Sequence, residues 1–271
     1  MDFIEITFKA EVDISEMIIS LLMNNGFEGV EIDENLVKAY INENQFNELI
    51  IKNIFYKFKV EFAINIIPYK NWNEEWEANF LPVQVGNFVN VRASFHPKPT
   101  NMKYDIIINP KMSFGTGHHA TTWLMMQEME QLDFKEKYVI DFGTGTGILA
   151  ILAEKLGAAH ILAIDNDENC IINARENFRL NDCNNINLAK AETISGKASI
   201  ILANINKNII LTNCKRIISA CDINGYILLS GLLKDDYDDI TKIFVNSNML
   251  LIHHAEKDNW ISLLYRYTLK G

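Results

Sequence analysis

The sequence is poor in cysteine and proline, and these shortages narrow the class of protein. It has 4 cysteines and 5 prolines in 271 residues, and no two cysteines form a CxxC pair. The pattern offers no zinc or redox motif and favours a reducing compartment. The cysteines are Cys170, Cys183, Cys214 and Cys221. We expect no metal site.

The chain also lacks export and membrane signals. Its first segment, MDFIEITFKAEVD, carries acidic residues from the second position and has neither a basic start nor a long apolar core. The apolar stretches are short and interrupted by polar residues, so we expect no membrane span. We expect a cytoplasmic protein.

The sequence also has fewer basic than acidic residues. The formal net charge is −10, from 35 acidic and 25 basic residues. Surfaces that bind nucleic acid are usually basic, so this balance argues against direct reading of nucleic acid. It permits a basic protein partner through electrostatic steering. We expect a monomer.

The first 66 residues alternate strand and helix patterns in the order βαββαβ. The strand candidates are 3–8, 27–32, 36–41 and 59–66, and the helix candidates are 14–25 and 45–55. This order is typical of the ferredoxin-like α+β arrangement. Such folds host many functions, so the order alone assigns none. We predict a small domain over residues 1–66.

Residues 67–82 predict a helical linker. Trp72, Trp76 and Phe80 recur every four residues, which is the spacing of one helix face. A stripe of this kind usually packs against a neighbouring domain. We expect a hinge near this segment.

Strand and helix patterns alternate regularly in the rest of the chain, 83–271. This alternation indicates a parallel sheet covered by helices on both faces. The last two strand candidates, 249–254 and 260–268, are consecutive and predict an antiparallel pair. An α/β domain is therefore expected over residues 83–271.

The strongest local signal is a glycine-rich turn after a predicted strand. Gly143, Gly145 and Gly147 stand at every second position after Asp141, and a helix pattern follows. Glycines let a ligand approach the backbone closely, and ligands of open α/β sheets bind at the carboxyl ends of strands. A dinucleotide loop, G-x-G-x-x-G, would need glycine where this chain has Ile148.

The spacing D-x-G-x-G-x-G instead resembles motif I of class I methyltransferases. In that motif the glycines approach the amino-acid end of S-adenosylmethionine. An acid at Asp141 suits the positive sulfonium and would repel a pyrophosphate.

Two more polar residues follow predicted strands. Asp165 ends the next strand, and Asn204 follows the fourth. The Asp165 carboxylate can accept hydrogen bonds from two ribose hydroxyls, although a helix N-cap is the alternative. Because the carboxyl ends of parallel strands share one edge, we predict one pocket formed by 141–147, Asp165 and Asn204.

A further segment, NPKMSFGTGHHATT, ends at Thr122. Together with 141–150, 165–181 and 203–205, it resembles the PrmA family, bacterial methyltransferases that modify ribosomal protein L11. The resemblance extends over nearly the whole chain. It implies a seven-stranded, Rossmann-like class I methyltransferase domain over residues 83–271. The ferredoxin-like domain before it would capture the substrate protein.

The resemblance also implies the cofactor S-adenosylmethionine and the residues that hold it. The family's cofactor contacts fall on Thr122, Gly143, Asp165 and Asn204. The surrounding motifs add the candidates Phe114, Thr116, Asp141, Gly145 and Gly147.

Four positions depart from the family pattern. Threonine, proline, cysteine and an apolar residue are usual where this chain has His118, Ala120, Thr144 and Asn206. The first three changes keep the backbone pattern, whereas Asn206 alters the expected shape of the acceptor site.

Several ring-bearing side chains invite a catalytic interpretation. We interpret His118 as a capping or packing residue, and we keep His119 as a contact to cofactor or substrate. Trp260 is predicted to lie in the core. His253 and His254 fall in a predicted strand, where adjacent side chains point to opposite faces, so they would not share a metal ion.

The reaction that the resemblance implies is methylation of lysine ε-amines and an N-terminal α-amine. A lysine amine has a reference pKa of about 10.4, so the site must favour the neutral amine by desolvation or by carbonyl acceptors. Asn204 is our candidate catalytic residue, which would orient the amine and the cofactor for an in-line displacement.

Other functions stay open. The acceptor could be another protein's lysines or a small amine. A nucleic-acid base is disfavoured because residues 204–207, Asn-Ile-Asn-Lys, lack the proline and aromatic of base amino-methyltransferases. The chain could also be a non-catalytic module that binds cofactor or the ribosome. The glycine spacing disfavours an NAD dehydrogenase.

Overall fold

The computed structural model describes residues 2–33, 35–67, 81–109 and 115–268. The chain divides into two compact units, Met1–Asn79 and Phe80–Gly271. The predicted linker falls almost wholly outside the described residues, so its helix and its hinge stay predictions.

The first unit is an antiparallel sheet with two helices. Its elements are β1 (Phe3–Lys9), α1 (Val12–Met23), β2 (Gly29–Asp33), β3 (Leu36–Asn42), α2 (Glu48–Phe58) and β4 (Phe62–Ile67). The sheet order is β2-β3-β1-β4. Alternate residues of β1, namely Ile4, Ile6 and Phe8, are buried in the core of this unit, as the period of a strand requires. Asn47 caps α2 by accepting the backbone N–H groups of its first turn.

The second unit contains a small sheet and a large one. The small sheet has β5 (Val83–Val85), β6 (Val89–Arg92) and β7 (Tyr104–Ile107). The strands of the large sheet are β8 (Tyr138–Phe142), β9 (His160–Asp165), β10 (Ile186–Lys190), β11 (Ala198–Asn204), β12 (Cys221–Leu233), β13 (Met249–Lys257) and β14 (Trp260–Tyr267). The helices are α3 (Ala120–Met129), α4 (Ile148–Lys155), α5 (Glu168–Leu180), α6 (Lys207–Ala220) and α7 (Tyr237–Asn246).

The large sheet is mostly parallel. Its order is β10-β9-β8-β11-β12-β14-β13, and β14 runs antiparallel to both of its neighbours. The predicted parallel sheet with a final antiparallel pair is thus confirmed. Both faces of the sheet are covered: Ile200 and Leu202 of β11 belong to one apolar core, whereas Ile201 and Ala203 belong to the other. No helix among the described residues has the length and apolar character needed to cross a membrane.

The strand order reverses between β8 and β11. The chain proceeds outward from β8 through β9 to β10 and then returns to β11 on the other side of β8. Leu202 of β11 pairs with Asp141 of β8, so the two strands end side by side. In open α/β sheets this reversal leaves a crevice at the carboxyl ends of the strands, where ligands bind.

Asn177 on α5 and Asn181 at its end form hydrogen bonds to the backbone at the end of the small sheet. The Asn181 side chain accepts from the backbone N of Ile107 (2.9 Å) and donates to its carbonyl oxygen (2.7 Å). Asn177 accepts from the backbone N of Asn109 (3.3 Å) and donates to the carbonyl of Thr146 (2.9 Å). These contacts join the end of β7 to the turn that follows β8.

We predict that Asn181→Ala lowers the free energy of unfolding by about 2 kcal/mol, because both backbone groups of Ile107 lose a partner. Urea unfolding would measure this. The control, Asn187→Ala, removes an exposed asparagine and should cost less than about 0.5 kcal/mol. Equal losses in the two variants would contradict the assigned bonds.

Candidate active site

A cavity of about 400 Å³ opens at the carboxyl edge of the large sheet, within the second unit. The turn after β8, the end of β9 and the loop after β11 contribute to its wall. Gly143, Gly145, Asp165 and Asn204 all line it. The structure therefore brings together the three strand ends expected to form one pocket.

Backbone hydrogen bonds shape the glycine turn. The N–H groups of Gly143 and Thr144 donate to the carbonyl of Ile164 at 2.8 and 2.9 Å. The Thr144 hydroxyl donates to Oδ2 of Asp141 at 2.6 Å. Threonine at this position thus supplies a strong donor to the buried acid beneath the turn.

Asp141 lies behind the cavity wall. The residue is 1% exposed and is not among the residues that line the cavity. Burial raises the pKa of its carboxyl group to about 7, and the nearby Asp165 charge adds to the increase. The Thr144 hydroxyl and the Ala150 backbone N–H oppose that increase.

Asp165 is fixed at the cavity wall by two backbone donors. Its Oδ2 accepts from Gly145 N at 2.9 Å, and its Oδ1 accepts from Asp167 N at 3.0 Å. The N-cap of α5 is Asp167, whose side chain accepts from Asn169 N at 2.8 Å. The N-cap alternative for Asp165 is therefore wrong, and its remaining lone pairs stay available to a ligand.

Asn204 lines the cavity and is held from behind. Its Nδ2 donates to the Thr122 hydroxyl at 3.2 Å. Its Oδ1 is buried and has no hydrogen-bond partner among the described residues. A buried polar atom without a partner is costly, and Asn204 lines the cavity, so a ligand that donates a hydrogen bond there would supply the missing partner.

The two threonines at the start of α3 differ in position. Both threonines are fully buried, but only Thr121 is among the residues that line the cavity. His119 is the N-cap of α3 and accepts from Thr121 N at 3.3 Å. The capping residue is thus His119, so of the two roles interpreted for His118, capping or packing, the capping role is wrong. His118 instead contacts the Leu81 carbonyl at 2.8 Å through Nε2.

The segment before α3 rests on the glycine turn. The Thr146 hydroxyl donates to the Gly115 carbonyl at 2.6 Å. A Cβ at Gly115 would lie 2.8 Å from that hydroxyl oxygen, so the contact requires glycine there. The Thr116 hydroxyl lies 3.2 Å from His118 Nδ1. Phe114 lies outside the described residues.

One side of the cavity is aromatic. The rings of His119 and Trp260 meet edge to face, with centroids 4.8 Å apart. Both residues line the cavity. The prediction that Trp260 lies in the core is wrong, because the β13–β14 hairpin brings it to the wall.

Two glycines leave room for Ile205, the residue after Asn204. A Cβ at Gly143 would lie 2.3 Å from Cγ2 of Ile205, and a Cβ at Gly231 would lie 2.3 Å from its carbonyl oxygen. Both glycines have positive φ, +76° and +81°. The loop after β11 therefore depends on the absence of side chains on both of its neighbours.

The unusual Asn206 has a structural explanation. Its side chain accepts from Ile209 N at 3.0 Å and caps α6, while the residue still lines the cavity. The next residue, Lys207, contacts Asp239 at 2.7 Å and Asp236 at 2.9 Å. The hydrogen bond to Asp239, followed by that to Asp236, raises the pKa of Lys207. These bonds favour the charged form of this amine.

Among the described residues that line the cavity, the carboxylates are Asp165 and Glu192, and no lysine or arginine is present. Such a wall favours a cationic ligand over a pyrophosphate. His253 and His254 have separate partners, Glu128 and Tyr237. No group of three or more His, Cys, Asp or Glu among the described residues could hold a metal ion.

The predicted site residues thus fall into two sets. Those on the wall are Gly143, Gly145, Asp165 and Asn204. Those outside the lining set are Asp141, Gly147, Thr116 and Thr122. Sequence reasoning missed Glu192, Trp260 and Gly231 as wall residues.

Comparisons with known proteins agree on one family. The sequence profile of the family described as ribosomal protein L11 methyltransferase (PrmA) matches residues 22–268. The ribosomal protein L11 methyltransferase of Phocaeicola vulgatus is 35% identical over 278 residues, covering 98% of this chain and 99% of that protein. The ribosomal protein L11 methyltransferase of Chlorobaculum parvum is 37% identical, covering 96% and 95%.

A solved structure adds to this agreement. The crystal structure of ribosomal protein L11 methylase from Lactobacillus delbrueckii subsp. bulgaricus has a TM-score of 0.64 and 28% identity. The match covers 70% of this chain and 100% of that one.

We predict that Gly231→Ala destabilises the protein by about 3 kcal/mol, because strain at positive φ and a clash with the Ile205 backbone combine. The matched control is Gly196→Ala, at φ +88° with nothing within 4 Å of the added Cβ. That variant should cost only about 1 kcal/mol. Urea unfolding of the two variants measures how far each substitution lowers the free energy of unfolding. Equal decreases would contradict the close approach of the Ile205 backbone to Gly231.

The raised pKa of Asp141 predicts how the free energy of unfolding changes with pH. Its pKa in the folded chain exceeds that of the unfolded chain, so its contribution to stability is present at low pH and is lost as pH rises towards about 7. When the pH is raised from about 4.5 to about 8, the free energy of unfolding of the wild type should fall by a few kcal/mol relative to that of Asp141→Asn. Urea unfolding at both pH values, with the exposed Asp235→Asn as control, measures the difference. A constant difference would contradict the burial of a protonated carboxyl group.

Proposed function

This chain belongs to the ribosomal protein L11 methyltransferase (PrmA) family, and from that membership we propose that it transfers methyl groups from S-adenosylmethionine to amines of ribosomal protein L11. The amines are lysine ε-amines and the N-terminal α-amine. The observation that carries the proposal is Asn204, which lines the cavity and whose buried Oδ1 has no hydrogen-bond partner within the part of the chain that the structure describes.

The residues present fit this cofactor. S-adenosylmethionine supplies a methyl group activated by a positive sulfonium. The described part of the wall has carboxylates but no lysine or arginine, which suits a cation, and the glycine turn admits a ligand close to the backbone. We assign Gly143 and Gly145 to the amino-acid end and Asp165 to the ribose hydroxyls.

The remaining predicted residues complete this proposed site from behind the wall. Asp141 and Gly147 hold the glycine turn and the start of α4, and Thr122 holds Asn204. Thr116 belongs to the segment that rests on the turn, and Phe114 stays a predicted contact.

Asn204 would act by orienting the amine. Its Oδ1 can accept an N–H from the neutral amine and so aim the nitrogen lone pair at the methyl carbon. S-adenosylmethionine held by Gly143, Gly145 and Asp165 would supply the methyl carbon to this nitrogen and would leave as S-adenosylhomocysteine. Desolvation in the cavity favours the neutral amine, and the proton lost from the nitrogen passes to solvent.

We further propose that residues 1–66 form a ferredoxin-like domain that recognises the substrate protein. Residues 67–82 would be a helical linker, and 83–271 the seven-stranded methyltransferase domain. The net charge of −10 suits a basic protein substrate. Because the proposed substrate is part of the ribosome, we place the reaction in the cytoplasm, with the enzyme acting as a monomer.

The test uses purified protein, tritiated S-adenosylmethionine and an unmethylated large-subunit protein mixture, with mass spectrometry of the labelled band. We expect label on ribosomal protein L11. Asn204→Ala should lower turnover at saturating cofactor by about a hundredfold, because the amine loses its orienting acceptor. The exposed Asn187→Ala serves as control.

Each other outcome corrects a different part of the proposal. Full turnover by Asn204→Ala would remove Asn204 from the mechanism. Label on another protein would change the substrate, whereas cofactor binding without transfer would favour a binding module. A protein that does not bind the cofactor in calorimetry would overturn the proposal.

A further inference from the structure

Lys207 starts beside the cavity wall. It is the first residue of α6 and follows Asn206 directly, and Asn206 and Ile209 both line the cavity. Neighbouring Cα atoms are about 3.8 Å apart, and the lysine ammonium stands on a flexible four-carbon stem. A side chain of this length, starting next to a wall residue, can enter the cavity unless other groups hold it outside.

Two carboxylates hold the Lys207 ammonium outside the cavity. Its Nζ lies 2.9 Å from Oδ1 of Asp236 and 2.7 Å from Oδ2 of Asp239. Neither aspartate belongs to the described residues that line the cavity. Asp236 is itself anchored, because its Oδ2 accepts from Leu233 N at 2.9 Å. The two carboxylates fix the place of the amine and favour its charged form, which has no lone pair to react.

This restraint matters because of the reaction proposed for the cavity. An enzyme that methylates lysine ε-amines has a potential substrate in any lysine that reaches its own methyl donor. We propose that Lys207 is a self-methylation site, which the ion pairs to Asp236 and Asp239 keep unmodified in the native enzyme. This inference rests on the proposed function and adds a second acceptor amine to it.

The reaction at Lys207 would have the same balance as the reaction on the protein substrate. The released ammonium passes one proton to solvent and becomes a neutral amine. Its nitrogen then forms a bond to the methyl carbon of S-adenosylmethionine as the bond from that carbon to sulfur breaks. The positive charge passes from sulfur to nitrogen, so the products are N-methylated Lys207 and S-adenosylhomocysteine.

The test uses the full chain with the double substitution Asp236→Asn and Asp239→Asn, which removes both charges and keeps both shapes. After incubation with S-adenosylmethionine, mass spectrometry measures the methylated fraction of the peptide that contains Lys207. We expect about tenfold more methylation than in the wild type, because two partly exposed ion pairs together limit release of the side chain about tenfold. Asp239 is exposed, so Asp239→Asn alone replaces the double variant if that variant does not fold.

A second measurement needs no cofactor. An amine-reactive acetyl ester attacks only the neutral amine, so acetylation of Lys207 in the cofactor-free chain reports release of the side chain. The double variant should be acetylated about tenfold faster than the wild type. Lys207→Arg in the same background should abolish both modifications, because the guanidinium keeps its charge.

Lys190 provides the matched control. It precedes the wall residue Ala191, and Glu168 holds its Nζ at 2.9 Å. It pairs across the sheet with Asp165, which we assign to the ribose end of the cofactor. Glu168→Gln should therefore speed acetylation of Lys190 without making Lys190 a methyl acceptor.

Three outcomes would overturn the inference. In the first, the double variant is acetylated quickly at Lys207 but not methylated there, while it still methylates ribosomal protein L11; the released amine then does not reach the methyl group. In the second, Lys207 is methylated equally in the wild type, so the carboxylates do not protect it. In the third, Lys190 is methylated as much in Glu168→Gln, so the reaction has no preference for Lys207.

Failure of the proposed function gives a different result. A wild type that does not bind S-adenosylmethionine in calorimetry fails the proposed cofactor, and the inference fails with it. Label on a protein other than ribosomal protein L11 fails only the proposed substrate, because the modification of Lys207 does not depend on the protein acceptor.

Discussion

The second unit depends on one close approach, that of the loop after β11 to the glycine turn after β8. Ile205 fits between Gly143 and Gly231 because neither neighbour has a Cβ. This packing fixes Asn204 beside the turn at the point where the strand order reverses. The cavity wall, the buried Asp141 and the cap of α6 are arranged around that contact. The crevice that any open α/β sheet has where its strand order reverses is thereby lined, in this protein, by a fixed asparagine beside the glycine turn.

Hydrogen bonds behind the wall form a second layer of support. Asp141 and Thr144 hold the turn from below, Thr146 joins it to Gly115, and Thr122 holds Asn204. These side chains are buried, so each bond operates in a low dielectric and is costly to lose. The residues that a ligand can contact are thus oriented by residues that it cannot reach, which is the arrangement expected of a preorganised site.

The alternation of strands and helices was predictable because the spacing of apolar residues within a short stretch of sequence distinguishes a strand from a helix. The strand ends at 141–147, Asp165 and Asn204 were predictable for the same reason, since a polar residue after an apolar run marks the sheet edge. Trp260 was assigned to the core because an aromatic residue beside a strand has the same pattern in a core and in a cavity wall. Asn177 and Asn181 were overlooked because helical asparagines usually face solvent. Their spacing of four residues was the available signal.

The wall of the cavity joins residues that are far apart along the chain. His119 stands at the start of α3, whereas Trp260 opens β14, the last strand of the sheet. A chain emerging from the ribosome therefore has the glycine turn and Asn204 long before it has the aromatic side of its cavity. Until β14 has been synthesised and added to the sheet, the cavity remains open on that side.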